Sequence, residues 1–155
     1  MIQPPAITDS HCHLDFSDFS GELDDIIDRA QQAGVRRLVT ICTRLSQEPD
    51  VRRIAETYNQ VFYAAGNHPM NADKEPMATL EKLVTIAAHP KLVAIGETGL
   101  DYHYTMESAE VQKKSLCIHI KAAQTTKLPL IIHARGADQD MAEILKSEYK
   151  NAPYS

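Results

Sequence analysis

Short apolar runs without polar alternation recur along the chain: Ala6 to Thr8, Leu38 to Ile41, Val61 to Ala65, Leu92 to Ile95 and Leu130 to Ile132. A run of that kind reads as a strand covered on both faces. Between the runs the apolar spacing changes to i, i+3, i+4, i+7, the period of a helix with one buried face. Leu23, Ile26, Ile27 and Ala30 form one such stripe, with Gly34 placed to cap its carboxyl end. Val51, Ile54, Ala55 and Tyr58 form the second, with Pro49 where a first-turn proline is tolerated. Leu80, Leu83, Val84 and Ala87 form the third. A fourth helix is expected from Ser108 to Thr126, carrying Leu116, Ile120 and Ala123, and Met141, Ile144, Leu145 and Tyr149 mark a fifth. Strand then helix, five times over, predicts an α/β fold of right-handed βαβ units on a parallel sheet. The apolar pattern fits an open doubly wound sheet and part of a (β/α)8 barrel equally well.

Polar residues separate the two. Function in a parallel sheet collects at the carboxyl ends of its strands. Here the runs are followed by Asp9-Ser10-His11-Cys12-His13-Leu14-Asp15, Thr43, Gly66-Asn67-His68-Pro69, Gly96-Glu97-Thr98-Gly99-Leu100-Asp101-Tyr102 and His133-Ala134-Arg135. A doubly wound sheet would concentrate ligand groups at its switch point. Groups spread over four of five strand ends suit a ring of strands converging on one mouth, so about five units of a TIM-type barrel are expected, the barrel itself incomplete in this chain. His11 and His13 project to the same side of an extended segment, with Cys12 to the other. A His-x-His pair also describes a solvated loop. Joined by Glu97 and His133, each after a run that should be buried, it becomes a donor set for a divalent ion. His68 occupies the equivalent position on the third strand and is expected to meet substrate or to support its turn, while Arg135 offers a forked cation to a phosphate or pairs on the surface. His119, in mid-helix, reads as structural.

Composition adds limits. The chain has 155 residues, 43% of them hydrophobic and 24% charged, which suits a single globular domain with its own core. Sixteen Lys and Arg against 21 Asp and Glu give a formal charge of −5, a poor basis for non-specific nucleic-acid binding. Any anionic substrate must then be held by a local device. Three cysteines without metal-type pairing, no basic-then-apolar leader at Met1-Ile2-Gln3-Pro4-Pro5 and no run near the roughly 18–20 residues of a membrane span together predict a cytoplasmic protein with no membrane partner.

At these stretches, and from Gln112 through Leu128-Pro129-Leu130-Ile131-Ile132-His133-Ala134-Arg135, the sequence resembles the TatD family of metal-dependent deoxyribonucleases, a branch of the amidohydrolase-like barrels. Gly96-Glu97-Thr98-Gly99-Leu100-Asp101-Tyr102 is the most specific of them. The resemblance implies a (β/α)8 barrel and hydrolysis of DNA phosphodiester bonds by a hydroxide formed on two divalent ions (Mg, Mn or Zn). It implies that His11 and His13 hold one ion, that Glu97 bridges both and is catalytic, and that His133 binds the second. His68, Arg135, Asp101 and Tyr102 are the expected substrate-binding residues. Such a barrel takes about 250 residues. Residues 1–155 are therefore expected to be the amino-terminal part of one hydrolase domain, the family's later His-Cys-Phe and Thr-Asp-Ser-Pro stretches lying outside the sequence. Strands one and five are expected to leave open edges, and activity is expected to need a second copy or the missing carboxyl-terminal segment. Two other readings stay open: hydrolysis of an ester, amide or aminoacyl bond on the same site, and an inactive metal-binding fragment.

Overall fold

The computed structural model describes residues 6–150, so the leader expectation at residues 1–5 and the chain end at 151–155 lie outside the described residues. Five strands, β1 (Ile7–Cys12), β2 (Val35–Cys42), β3 (Val61–Ala65), β4 (Leu92–Asp101) and β5 (Leu130–Arg135), form one sheet in the order β1-β2-β3-β4-β5. Every pair is parallel. Between them run α1 (Leu23–Gln32), α2 (Glu48–Thr57), α3 (Leu80–Ala87) and α4 (Ala109–Thr126), with α5 (Asp138–Glu148) following β5. Sequential order without a reversal is the winding of a barrel wall, in contrast to the switch point of a doubly wound sheet. The sheet curls into half a barrel, and among the described residues β1 pairs only with β2 and β5 only with β4.

The helices follow their apolar stripes. Ile27 of α1, Val51 and Ala55 of α2, Leu83 of α3 and Ala122 and Ala123 of α4 meet β2, β3 and β4 in the largest core cluster. Leu116 and Ile120 of α4 pack with Met141 of α5 and Leu100 of β4 in a second. A third, of Ile41, Ala64 and Ala94 with Val39 and Ile131 against it, comes from the strands themselves. At the amino ends of the strands the Lys91 ammonium donates to the carbonyls of Tyr58, Asn59 and Val61 at 3.3, 2.7 and 3.2 Å, satisfying the turn into β3. No helix is long and apolar enough to cross a membrane among the described residues.

Four of the strands run further than their apolar runs, β2 reaching from Val35 to Cys42. β1 extends to Cys12, β4 to Asp101 and β5 to Arg135, so His11, Glu97, Asp101 and His133 are strand residues and not residues of the loops beyond; Asp101 and His133 are paired in register, while His11 and Glu97 fall in register shifts. Glycine makes this continuation possible. Gly99 has φ +146° and pairs with His133, and a Cβ on it would meet the His133 carbonyl oxygen and lie 2.9 Å from the carbonyl carbon. Gly96, at φ +126°, lies against the Ile131 backbone, and a Cβ on Gly66 would fall 2.6 Å from the Gly96 Cα. The three glycines draw β3, β4 and β5 together under the polar mouth.

Below that mouth His119 of α4 is fully buried. Its Nδ1–H donates to the Ser115 carbonyl at 2.8 Å, so Nε2 is the atom that accepts the Asn67 N–H at 3.2 Å. The Asn67 side chain accepts in turn from Leu45 N–H at 2.8 Å, which ties the turn after β3 to the turn after β2. Burial lowers the His119 pKa to about 4, against a Ser115 hydrogen bond that pulls the other way.

Two outcomes follow. The unfolded chain takes up the His119 proton near pH 6.5, whereas the folded protein takes it up near 4. The contribution of His119 to stability is therefore complete above about pH 6.5 and is lost as the pH falls towards 4. Urea denaturation of the wild type should show about 2 kcal/mol less stability from this group at pH 5 than at pH 8, and His119→Gln should remove that slope; equal slopes for both proteins refute the assignment. Gly99→Ala should lower Tm by at least about 4–8 °C, the equivalent of about 2 kcal/mol of backbone strain, because the overlap with the His133 carbonyl adds to that strain, and a Tm within one degree of wild type would show that β4 and β5 have room to part.

Candidate metal centre

At the carboxyl ends of the strands, four histidines surround one carboxylate. Glu97 of β4 is 8% exposed. Its Oε2 lies 3.4 Å from His11 Nε2, and its Oε1 lies 3.5 Å from His133 Nδ1 and 3.9 Å from His68 Nε2. The His11 and His13 rings meet edge to face at 5.3 Å. Cys12, between them, turns the other way and donates to the Val39 carbonyl at 3.4 Å, while Leu14 N–H donates to Thr40 Oγ1 at 3.1 Å and pins the chain as it leaves β1.

The hydrogen bonds fix where the protons are. A carbonyl only accepts, so the 3.1 Å contact of His13 Nδ1 with the Ile41 oxygen puts the proton on Nδ1 and leaves Nε2 as a lone pair. His68 is the reverse: its Nδ1 accepts from Met70 N–H at 3.2 Å, so Nε2 carries the proton. His133 Nε2 donates to Asp101 Oδ2 at 2.9 Å, leaving Nδ1 free to accept the His68 Nε2–H at 3.1 Å. Asp101 is fully buried. Burial pushes its carboxyl up, but the Tyr104 N–H, the His133 ring and the His103 N–H outweigh that and hold it below the usual carboxylate range. Burial likewise lowers His68, Glu97 opposing and His133 adding to the effect.

This arrangement has the chemistry of a cation site. His133 Nδ1 and Glu97 Oε1, both acceptors, lie 3.5 Å apart, and the one lone pair of Nδ1 is taken by the His68 Nε2–H. A divalent ion placed there would draw on both atoms in place of that hydrogen bond. The donor atoms of His11, His13 and Glu97 lie within 4.8 Å of one another, as do those of His68, Glu97 and His133, and Glu97 is common to both groups. The Asp101–His133 pair is the carboxylate–histidine device that orients a metal-ligating imidazole.

The structure thus brings together His11, His13, His68, Glu97 and His133. Beside them opens a cleft of about 670 Å³, lined by His13, Phe16, Arg44, His68, Asn71 and Glu97 among others. The remaining residues singled out in the sequence sit elsewhere. Asp101 is enclosed behind His133. The Tyr102 hydroxyl donates to Asp140 Oδ2 at 2.6 Å, where Lys113 also pairs at 2.8 Å. The Arg135 guanidinium lies over the Tyr104 ring at 4.5 Å. None of the three lines the cleft. Phe16, Arg44 and the support that His119 gives to Asn67 carry no local sequence signal and emerge only from long-range contacts. The cysteines are quiet: burial pushes the Cys12 and Cys42 thiols up to about 12.

Known proteins share this plan. The chain is 34% identical over 140 residues to YabD of Bacillus subtilis, an uncharacterized metal-dependent hydrolase, with 90% of the chain and 55% of that protein covered. It is 31% identical over 134 residues to a 3'-5' ssDNA/RNA exonuclease TatD of Shigella flexneri, covering 86% of the chain and 52% of that protein. The crystal structure of YjjV, a TatD homologue from Escherichia coli K12, superposes with a TM-score of 0.84 at 34% identity, over 91% of the chain and 55% of YjjV. The chain spans about half the length of these relatives. The profile of the TatD-related DNases matches residues 8–154, the segment that carries the five strands but for Ile7 and every histidine around Glu97, and the chain belongs to that family.

Proposed function

We propose that this chain supplies the metal-binding part of a hydrolase that cleaves phosphodiester bonds of DNA at a centre of two divalent ions. The observation that carries the reading is Glu97, one buried carboxylate shared by two imidazole groups, each able to hold an ion. His11 and His13 would hold one ion and His133 the other, with Glu97 between them. Imidazole-rich donors suit Zn²⁺ or Mn²⁺ better than Mg²⁺ by softness. Bound there, divalent ions supply an acidified water as nucleophile and neutralise the phosphoryl oxygens as charge builds up. Residues 1–155 are read as part of one hydrolase domain, in keeping with the share of each relative that they cover.

The chain's own residues do the rest. His13 keeps Nε2 free because Ile41 holds its other nitrogen. Asp101 keeps His133 presenting Nδ1, acting as a positioning residue and not as a substrate contact. His68 carries its proton on Nε2, directed at His133. With His133 holding an ion, the His68 Nε2–H would be available to donate to a phosphoryl oxygen of the substrate. The identity of the scissile bond rests on the exonuclease activity named for one relative. Esters, amides and aminoacyl bonds are the competing substrates, and turnover of a DNA oligomer set against an aminoacyl-RNA separates them.

Glu97→Gln keeps the volume and removes the shared charge. It should lower the hydrolytic rate by about a hundredfold to a thousandfold and weaken Mn²⁺ uptake at both groups in calorimetric titration; an unchanged stoichiometry and rate would refute a shared ligand. Asp101→Asn should weaken metal affinity by about tenfold to a hundredfold while far-ultraviolet circular dichroism stays that of the wild type. Full affinity in that variant would mean that His133 needs no carboxylate behind it.

A further inference from the structure

Helix α4 turns polar residues to the sheet. A helix laid on a parallel sheet ordinarily presents apolar side chains to it, yet α4 carries Gln112, Ser115 and His119 at helical spacing on its buried face. Gln112 and His119 are fully buried. A buried polar pair adds little to stability over apolar side chains of the same shape, so what these two residues contribute is geometry. Both bind main chain at the carboxyl end of a strand.

Gln112 closes on Asp101 of β4. Its Oε1 accepts from Asp101 N–H at 2.7 Å, and its amide has the carbonyls of Asp101 and Thr105 as acceptors at 3.2 and 2.7 Å. The Thr105 hydroxyl donates to the same Asp101 carbonyl at 3.1 Å. With its main chain engaged in this way, Asp101 directs Oδ2 at the His133 Nε2–H. Two turns further along α4, His119 Nε2 accepts from Asn67 N–H. The next residue, His68, has its own N–H on the Thr43 carbonyl at 3.0 Å. His68 and His133 then meet through their Nε2–Nδ1 bond, so one helix stands behind both imidazoles of one donor group. The other group is supported from β2, where the Ile41 carbonyl holds His13 and the Thr40 hydroxyl holds the chain as it leaves β1.

We propose that the polar face of α4 is a positioning device for one half of the metal centre. Gln112, through Asp101, and His119, through Asn67, fix the places and tautomers of His133 and His68, while β2 fixes His13 and its neighbour His11 independently. The inference rests on the two-ion reading above and adds that the ions sit in separate frames joined only by Glu97, so that either can be weakened without the other.

The tautomers are read in the metal-free protein by long-range proton–nitrogen NMR spectra. The wild type should show His133 protonated on Nε2 and His13 on Nδ1. Gln112→Met keeps the length and loses every bond, and should give His133 a mixture of tautomers while His13 stays as it was. The ions are read by calorimetric titration with Mn²⁺, with His11→Ala and His133→Ala assigning the two phases. Gln112→Met and His119→Leu should weaken the phase that His133→Ala abolishes by about tenfold to a hundredfold and leave the other phase unchanged. His119→Gln, which can still accept from Asn67 N–H, should restore it. Should Gln112→Met fail to fold, Thr105→Val removes only the hydroxyl on the Asp101 carbonyl and should act in the same direction. Equal weakening of both phases, or of neither, overturns the separate frames. A single, unchanged His133 tautomer in Gln112→Met overturns the action through Asp101. A wild type that takes up no Mn²⁺ overturns the metal reading instead, and the tautomers of the metal-free variants then decide the positioning alone.

Discussion

A buried carboxylate cannot remain without a counter-charge, and the upper end of this half-barrel is organised around that requirement. Glu97 has three imidazole nitrogens within 3.9 Å, one of which, His133 Nδ1, accepts from His68. A cluster of this composition suits protons or metal ions, and the hydrogen bonds behind the rings hold its imidazoles in fixed tautomers. Ile41 and Asp101 each occupy one nitrogen of an imidazole that faces Glu97 with the other. The tautomers are thus set from the framework, before any ligand arrives, which is the preorganisation that metal chemistry exploits.

That framework explains which parts of the molecule were readable from the chain. Helices α1 to α5 follow the stripes through Leu23, Val51, Leu83, Leu116 and Met141 because each buries one face, and a buried face leaves a periodic trace; Leu80, expected on the stripe of α3, is exposed. The parallel sheet was readable for a related reason, since strands covered on both faces are uniformly apolar. Strand ends were not. The run Leu92 to Ile95 predicts four residues, yet β4 has ten, because the pairing with β5 resumes at Thr98 after a shift of register at Gly96-Glu97 and continues to Asp101 whatever the side chains do.

The donors were legible as residues placed after apolar runs, and the structure gathers His11, His13, Glu97 and His133 with His68 beside them. Contacts between distant segments were not legible. Tyr102 and Arg135 are sequence neighbours of Asp101 and His133, but Asp140 and Tyr104 take their polar ends. Conversely, Gln112 lies eleven residues from Asp101 and reads as an ordinary helical polar residue. In the fold its carboxamide accepts from Asp101 N–H at 2.7 Å and donates to the carbonyls of Asp101 and Thr105, so the residue behind His133 is itself anchored from α4. Hydrophobic periodicity cannot register such a bond, because it records burial and not partnership.

The seam of Gly66, Gly96 and Gly99 bears on how such a centre can diversify. Backbone meets backbone there, and no side chain stands between the strands to be enlarged or trimmed. The span between donors from β4 and β5 is therefore a property of the main chain, insensitive to ordinary substitution. Variation at this end of the sheet is thereby left to the side chains and to the partners that hold them from behind, such as Asp101 and Gln112, since the seam itself has little room to change.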